Sequence, residues 1–158
     1  VHDVDTQILI KVSFLMGLRL SEIHKGTLLF KESVLCFSLM ESTEALKTHS
    51  SYRIIPMHRC IARDEIKYLQ SLSKGTIKWT ARKVKMAIDK FLVATDRKSL
   101  YSLRHSFATE LIANNVNPSI VSELLGHAHI GMTLSRYSKG FPTTILKKSV
   151  ETLNMKIR

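Results

Sequence analysis

The stretch Thr27-Leu-Leu-Phe-Lys-Glu-Ser-Val-Leu-Cys-Phe-Ser-Leu39 decides the fold class. Thr27–Phe30 and Val34–Leu39 are rich in β-branched and aromatic residues, and a polar turn separates them. A third run of this kind follows at Tyr52–Met57. Such runs between polar turns read as a small antiparallel sheet or hairpin pair. On both sides of it the pattern is helical. Asp5–Gly17 carries Ile8, Val12 and Leu15 at helical spacing and ends at a glycine. Ser21-Glu22-Ile23 starts a second short helix. Downstream, helical spacing recurs over Ile61–Leu72, Ala81–Ala94, Leu103–Ala113, Ile130–Tyr137 and Thr143–Met155. Pro118 suits the first turn of a further helix, which Gly126 stops. The expected fold is mostly α with a small antiparallel β-sheet, an α+β class.

Composition sets the partner class. The chain has 158 residues, which fits one domain. Hydrophobic residues make up 44%, enough for a normal core. Lys and Arg number 24 against 13 Asp and Glu, a net charge of +11. That excess points to a polyanion, nucleic acid first and an acidic membrane surface second. Ile8–Leu20 is interrupted by Lys11 and Arg19 and is too short to span a bilayer. The first residues lack the basic region of a signal peptide. Two cysteines, Cys36 and Cys60, make no disulfide scaffold, so a reducing cytoplasm is the default. The chain does not start with methionine, and it is expected to be a fragment or processed piece of a longer protein.

Four separated segments carry candidate chemistry. In Gly17-Leu-Arg-Leu-Ser-Glu-Ile23, Arg19 and Glu22 are spaced to share one helical face, so Glu22 is positioned to hold the guanidinium. Taken alone, the pair reads more simply as a surface ion pair. In Tyr101-Ser-Leu-Arg-His-Ser-Phe-Ala-Thr109, Tyr101 and Arg104 lie one turn apart, with Leu103 and Phe107 on the buried side. In Leu124-Leu-Gly-His127, Gly126 caps a helix and leaves His127 at its C-terminal end, where the helix dipole favours a protonated or donor imidazole. Met132-Thr-Leu-Ser-Arg-Tyr-Ser138 follows, with Tyr137 ten residues after His127. Lys47 and Thr48 sit at the mouth of the third strand.

Taken in order, these segments resemble the tyrosine recombinases of the phage-integrase family. The matching pieces are Gly17-x-Arg19-x-x-Glu22, Leu103–Thr109, Leu124–His127 and Thr133–Tyr137. Each is weak alone, but the ordered set is specific and spans nearly the whole chain. The resemblance implies a catalytic domain over residues 1–158, with the family's N-terminal DNA-binding domain absent from this chain. It also implies site-specific DNA cleavage and rejoining through a 3′-phosphotyrosyl link, for a phage or mobile element. No cofactor, metal or ATP is implied. By the same resemblance Tyr137 is the nucleophile. Arg19 and Arg104 hold the non-bridging oxygens of the scissile phosphate. His127 donates to that phosphate, and Lys47 protonates the leaving 5′-oxygen. One position departs from the family pattern: Tyr101 stands where a histidine is usual. A phenol, with an unperturbed pKa of about 10, is a poor base at neutral pH. Tyr101 is therefore expected to donate a hydrogen bond or orient Tyr137.

Other signals fit beside this. Arg82, Lys83, Lys85 and Lys90 form a basic run that suits sequence-independent phosphate contacts. The resemblance implies double-stranded DNA sites as partners, a homotetramer on DNA, accessory DNA-bending proteins, and no membrane. A nucleoid-associated cytoplasmic location follows from it. His58-x-Cys60 and His127-x-His129 lack the usual zinc-ligand spacing. Three rival readings stay open: a catalytically inactive DNA-binding module, a type IB topoisomerase-like enzyme or telomere resolvase, and a helical transcription regulator.

Overall fold

A computed structural model of the chain describes residues 4–40, 42, 46, 49–74, 100–127 and 140–154. Helix α1, Val4–Met16, buries Ile8, Leu9, Val12, Leu15 and Met16, so its apolar stripe is the one the spacing predicts. Gly17 stops it at φ +60°, and a 3₁₀ turn follows at Leu20–Glu22 where the sequence suggested a short helix.

The sheet comes next. Strands β1 (Thr27–Lys31), β2 (Val34–Ser38) and β3 (Ile54–Pro56) are antiparallel in the order β1-β2-β3. Leu29 pairs with Cys36, and Phe37 with Ile55. The β1–β2 connection has two central residues, Glu32 at φ 50° and Ser33 at φ 62°. Two consecutive positive φ values match the right-handed twist of the flanking strands. The third strand is shorter than Tyr52–Met57, because a 3₁₀ turn at His49–Ser51 runs into it and pairing with β2 ends at Pro56. Cys36 is a fully buried thiol, as the strand pattern implies.

Four more helices follow among the described residues: α2 (Arg63–Ser73), α3 (Leu100–Ala113), α4 (Pro118–Leu125) and α5 (Thr143–Val150). Helix α3 begins three residues before Leu103, which puts Tyr101 and Arg104 inside one helix. It ends at Asn115, φ 60°, with Val116 N–H bonded to Leu111 C=O and Asn115 N–H to Ile112 C=O. That pairing closes the helix end and satisfies its orphan carbonyls. Helix α4 starts on Asn117, whose side chain accepts from Ser119 N–H, with Pro118 in its first turn. Helix α5 stops at Val150, short of Met155.

One hydrophobic core joins these elements. Helix α1 packs on α3, where Phe107 is fully buried. Leu103 is only half-buried. Helix α5 packs on β2 and β3 and also touches α4. Lys11 bridges α1 to α2 through both oxygens of Glu65, at 2.9 and 2.7 Å. The helices expected over Ala81–Ala94 and Ile130–Tyr137 lie outside the described residues. The α+β class stands: helices around a small three-stranded antiparallel sheet. Among the described residues, no helix is long and apolar enough to cross a membrane.

Candidate active site

Four chain segments meet at the ends of α1 and α4. Gly17 turns the chain so that Arg19 enters the 3₁₀ turn as its cap. Arg19 N–H donates to Glu22 Oε2 at 2.8 Å, and Arg19 Nη1 donates to Glu22 Oε1 at 2.6 Å. Nη1 also donates to Ser51 Oγ at 3.1 Å. The pair is not the surface ion pair that the segment alone suggests. The Glu22 side chain is 4% exposed and that of Arg19 20%. Burial alone would raise the Glu22 carboxyl, but Arg53 and then Arg19 hold it below the usual 4.5.

Arg53 is the residue that sequence reasoning missed. Its side chain is 4% exposed and every nitrogen donates. Nη1 and Nη2 reach Glu22 Oε1 and Oε2 at 3.1 and 3.0 Å. Nη1 also reaches Ser51 C=O at 2.9 Å, and Nε reaches Leu124 C=O at 2.7 Å. A signal was present. In the run Tyr52–Met57, Arg53 falls in phase with Ile55 and Met57, which face the core. A charged residue in the inward phase of a strand needs a buried partner.

Arg104 sits on α3, 3% exposed. Nη1 donates to Gly17 C=O at 2.6 Å, and Nη2 donates to Leu125 C=O. One guanidinium thus closes the ends of two helices, where carbonyl groups favour a cation. Burial, and then the Arg19 and Arg53 charges, lower its pKa to about 10. It remains charged at neutral pH.

Gly126, at φ 63°, ends α4. Its N–H bonds Glu123 C=O and the His127 N–H bonds Ser122 C=O, each at 3.0 Å. A Cβ at Gly126 would lie 2.6 Å from Ser50 O and 2.9 Å from Arg53 Cδ, so only glycine fits. His127 follows at once and is exposed. Of the protonated and donor states that the helix end allows, the surroundings favour the neutral donor. Partial desolvation of the ring, and then Arg104, Arg19 and Arg53, push its pKa below 6.5. The neutral ring keeps one N–H to donate.

Tyr101 is 63% exposed, with its ring 6.0 Å from that of His105. Tyr101, Arg104 and His127 line a pocket of about 260 Å³ between α3 and α4. The structure therefore gathers Arg19, Glu22, Arg104 and His127 around the ends of α1 and α4, with Tyr101 at the pocket that Arg104 and His127 line. Tyr137, Lys47 and the basic residues Arg82, Lys83, Lys85 and Lys90 lie outside the described residues. His58 does other work: Nε2 faces Leu153 C=O at 3.2 Å and Nδ1 accepts from Cys60 N–H at 3.1 Å. Among the described residues, no group of three or more His, Cys, Asp or Glu is placed to hold a metal ion.

The sequence model of the phage integrase family matches residues 1–142. Similar curated proteins include tyrosine recombinase XerD of Chlamydia trachomatis serovar D and its counterpart in Chlamydia muridarum. Each is 50% identical over 42 residues, 27% of this chain. A tyrosine recombinase XerC-like protein of Caldanaerobacter subterraneus subsp. tengcongensis is 39% identical over 57 residues, 36% of this chain. The matched stretches cover 14% of each relative's length. No solved structure matches the chain significantly.

Proposed function

The chain belongs to the phage integrase family, and from that premise we propose that it is the catalytic domain of a site-specific DNA recombinase. The observation that carries the reading is the convergence of Arg19, Arg104 and His127, from three separated segments, at the ends of α1 and α4. Two guanidiniums and an N–H donor gathered at these helix ends match the needs of a phosphodiester gaining charge in its transition state.

In this reading Arg19 and Arg104 bind the non-bridging oxygens, and His127 donates to the same phosphate. Tyr137 Oη gives its proton to water, attacks phosphorus and forms the 3′-phosphotyrosyl bond as the bond to the 5′-oxygen breaks. Lys47 gives that oxygen its proton, so a free 5′-hydroxyl leaves. The hydroxyl of an incoming strand later attacks the phosphotyrosyl link and restores Tyr137. Tyr101, exposed beside the pocket, supports the phosphate or Tyr137 by hydrogen bonding. Arg82, Lys83, Lys85 and Lys90 hold the duplex by its backbone. The working unit is a homotetramer on two DNA sites, assisted by DNA-bending proteins, in a phage or mobile element.

The deciding experiment treats supercoiled plasmid with the full-length protein in EDTA, beside Tyr137→Phe, and resolves covalent adducts on a denaturing gel. Relaxation and an adduct, both lost in the variant, are expected. Arg19→Met should lower cleavage by about 10²–10³, the usual loss for one transition-state donor. The second reading, an inactive DNA-binding module, is favoured by Tyr101 in the usual histidine's place. Salt-sensitive binding with no adduct on a suicide substrate carrying the element's own ends would establish it.

A further inference from the structure

We propose that Arg53 is the positioning residue of this site, tying the mount of Arg19 to the mount of His127. The inference rests on the recombinase reading for its catalytic consequence, and on geometry alone for its structural one. Arg53 itself is buried beneath the site, its side chain 4% exposed. It grips Glu22 through two nitrogens, at 3.1 and 3.0 Å, and Glu22 in turn holds Arg19 Nη1 at 2.6 Å. The planar fork of a guanidinium matches both carboxylate oxygens and fixes their plane. The carboxylate plane then sets where Arg19 can sit.

The third nitrogen of Arg53 points elsewhere. Nε donates to Leu124 C=O at 2.7 Å, two residues before Gly126 and three before His127. That carbonyl belongs to the last turn of α4, where backbone acceptors run out of helical partners. Gly126 packs against Arg53 itself, since a Cβ there would meet Arg53 Cδ at 2.9 Å. Arg53 therefore sets the height of the α4 terminus, and with it His127. Ser51 completes the frame: its carbonyl accepts from Arg53 Nη1 at 2.9 Å, and its hydroxyl from Arg19 Nη1 at 3.1 Å. One buried side chain in front of β3 thus joins the 3₁₀ turn carrying Arg19 to the helix end carrying His127. With Arg53 removed, Glu22 keeps only Arg19 among the described residues. The Arg19 guanidinium is then drawn inward to the buried carboxylate, which competes with the substrate phosphate for it.

Arg53→Lys keeps the charge and removes both the fork and the Nε donor, so it separates positioning from charge. In the full-length protein, Arg53→Lys is expected to leave noncovalent affinity for the DNA site within about twofold. Single-turnover cleavage of a suicide substrate should fall about a hundredfold, the scale of a 1 Å misplacement. Full cleavage by a folded Arg53→Lys overturns the proposal. Equal loss of binding and cleavage, in step with loss of cooperative melting, overturns it in favour of a merely structural role. Two readouts need no activity. Amide hydrogen exchange at Gly126 and His127 should quicken about tenfold in Arg53→Lys, while α1 amides stay unchanged. In the unmodified chain, the Arg53 Nε–H should exchange with water far more slowly than that of exposed Arg59. An Arg53 Nε–H that exchanges like Arg59 overturns the proposal even where Arg53→Lys does not fold. Absence of any adduct from the unmodified protein defeats the recombinase reading instead, and the exchange data still decide the structural half.

Discussion

Gly17 shows how much one residue can fix. Its φ of +60° lies where a Cβ is penalised, and a Cβ there would sit 2.6 Å from Phe107 Cδ1. Its carbonyl also accepts from Arg104. Gly17→Ala should therefore destabilise the fold by about 2–4 kcal/mol, combining the left-handed penalty with overpacking against a fully buried ring. Urea unfolding would measure it, and an unchanged midpoint would show that the turn can relax without Gly17. The sequence marked this glycine as a helix stop and marked Arg19, Glu22, Arg104, Gly126 and His127 as a set. Arg53 escaped because nothing local distinguishes it. Its partners are 31 and 71 residues away, and only its place in the inward phase of a strand hints that it is buried. The choice between a protonated and a neutral donor His127 stayed open for a related reason. The helix end was visible in the sequence, but the three guanidiniums gathered around it were not.

At the scale of elements, apolar spacing foretold the described helices, and β-branched and aromatic composition foretold the small antiparallel sheet, while ends set by tertiary contacts were less legible. Helix α3 starts earlier, and α5 stops earlier, than their apolar spacing suggests. The β1–β2 turn places Glu32 and Ser33 at positive φ, where neither residue is at ease. Replacing them with Asn-Gly should stabilise the protein by about 1–2 kcal/mol, because that pair adopts the turn readily. No stabilisation on denaturant unfolding would mean the turn strain is relieved elsewhere. Helix α5 is held by a polar cluster. His58 Nε2 faces Leu153 C=O, Lys147 Nζ donates to Met57 C=O at 2.6 Å, and Glu151 accepts from Arg59 N–H at 2.8 Å and from Lys147. Burial foremost, with Lys147 and Arg59, pushes the His58 pKa below 6.5, while Glu151 opposes them. The unfolded chain then takes up a proton at higher pH than the folded one. The stability this ring contributes is complete above about pH 6.5 and is lost as pH falls through the lower folded value. His127 acts with the same sign. The melting temperature should drop between pH 7 and 5, and His58→Gln should flatten part of that drop. An identical pH slope in His58→Gln would remove His58 from the account.

Across the whole molecule, charge is the feature that composition alone made legible: +11 over 158 residues. The fold decides where part of it is concentrated. Arg19, Arg53 and Arg104 share one end of the core, and Glu22 is already divided between the first two. The hydrogen-bond partners of Arg104 among the described residues are neutral carbonyls, and the repulsion from Arg19 and Arg53 adds to its burial in lowering its pKa to about 10. A doubly charged tetrahedral anion seated beside Arg19, Arg104 and His127 would offset that repulsion. Sulfate is a suitable probe because it mimics a phosphate without requiring DNA. Thermal stability should rise with sodium sulfate beyond the rise in sodium chloride at equal ionic strength. The rise should saturate, reaching about 2.7 kcal/mol at a hundred times the dissociation constant. Sulfate also stabilises proteins generally through exclusion from their surface, but that effect does not saturate. Arg19→Met separates the two, since Arg53 still holds Glu22 in the variant. It should abolish the saturating part and keep the linear one. A rise that stays linear throughout, or one that survives Arg19→Met unchanged, would mean that the clustered guanidiniums do not form an anion site in the free protein.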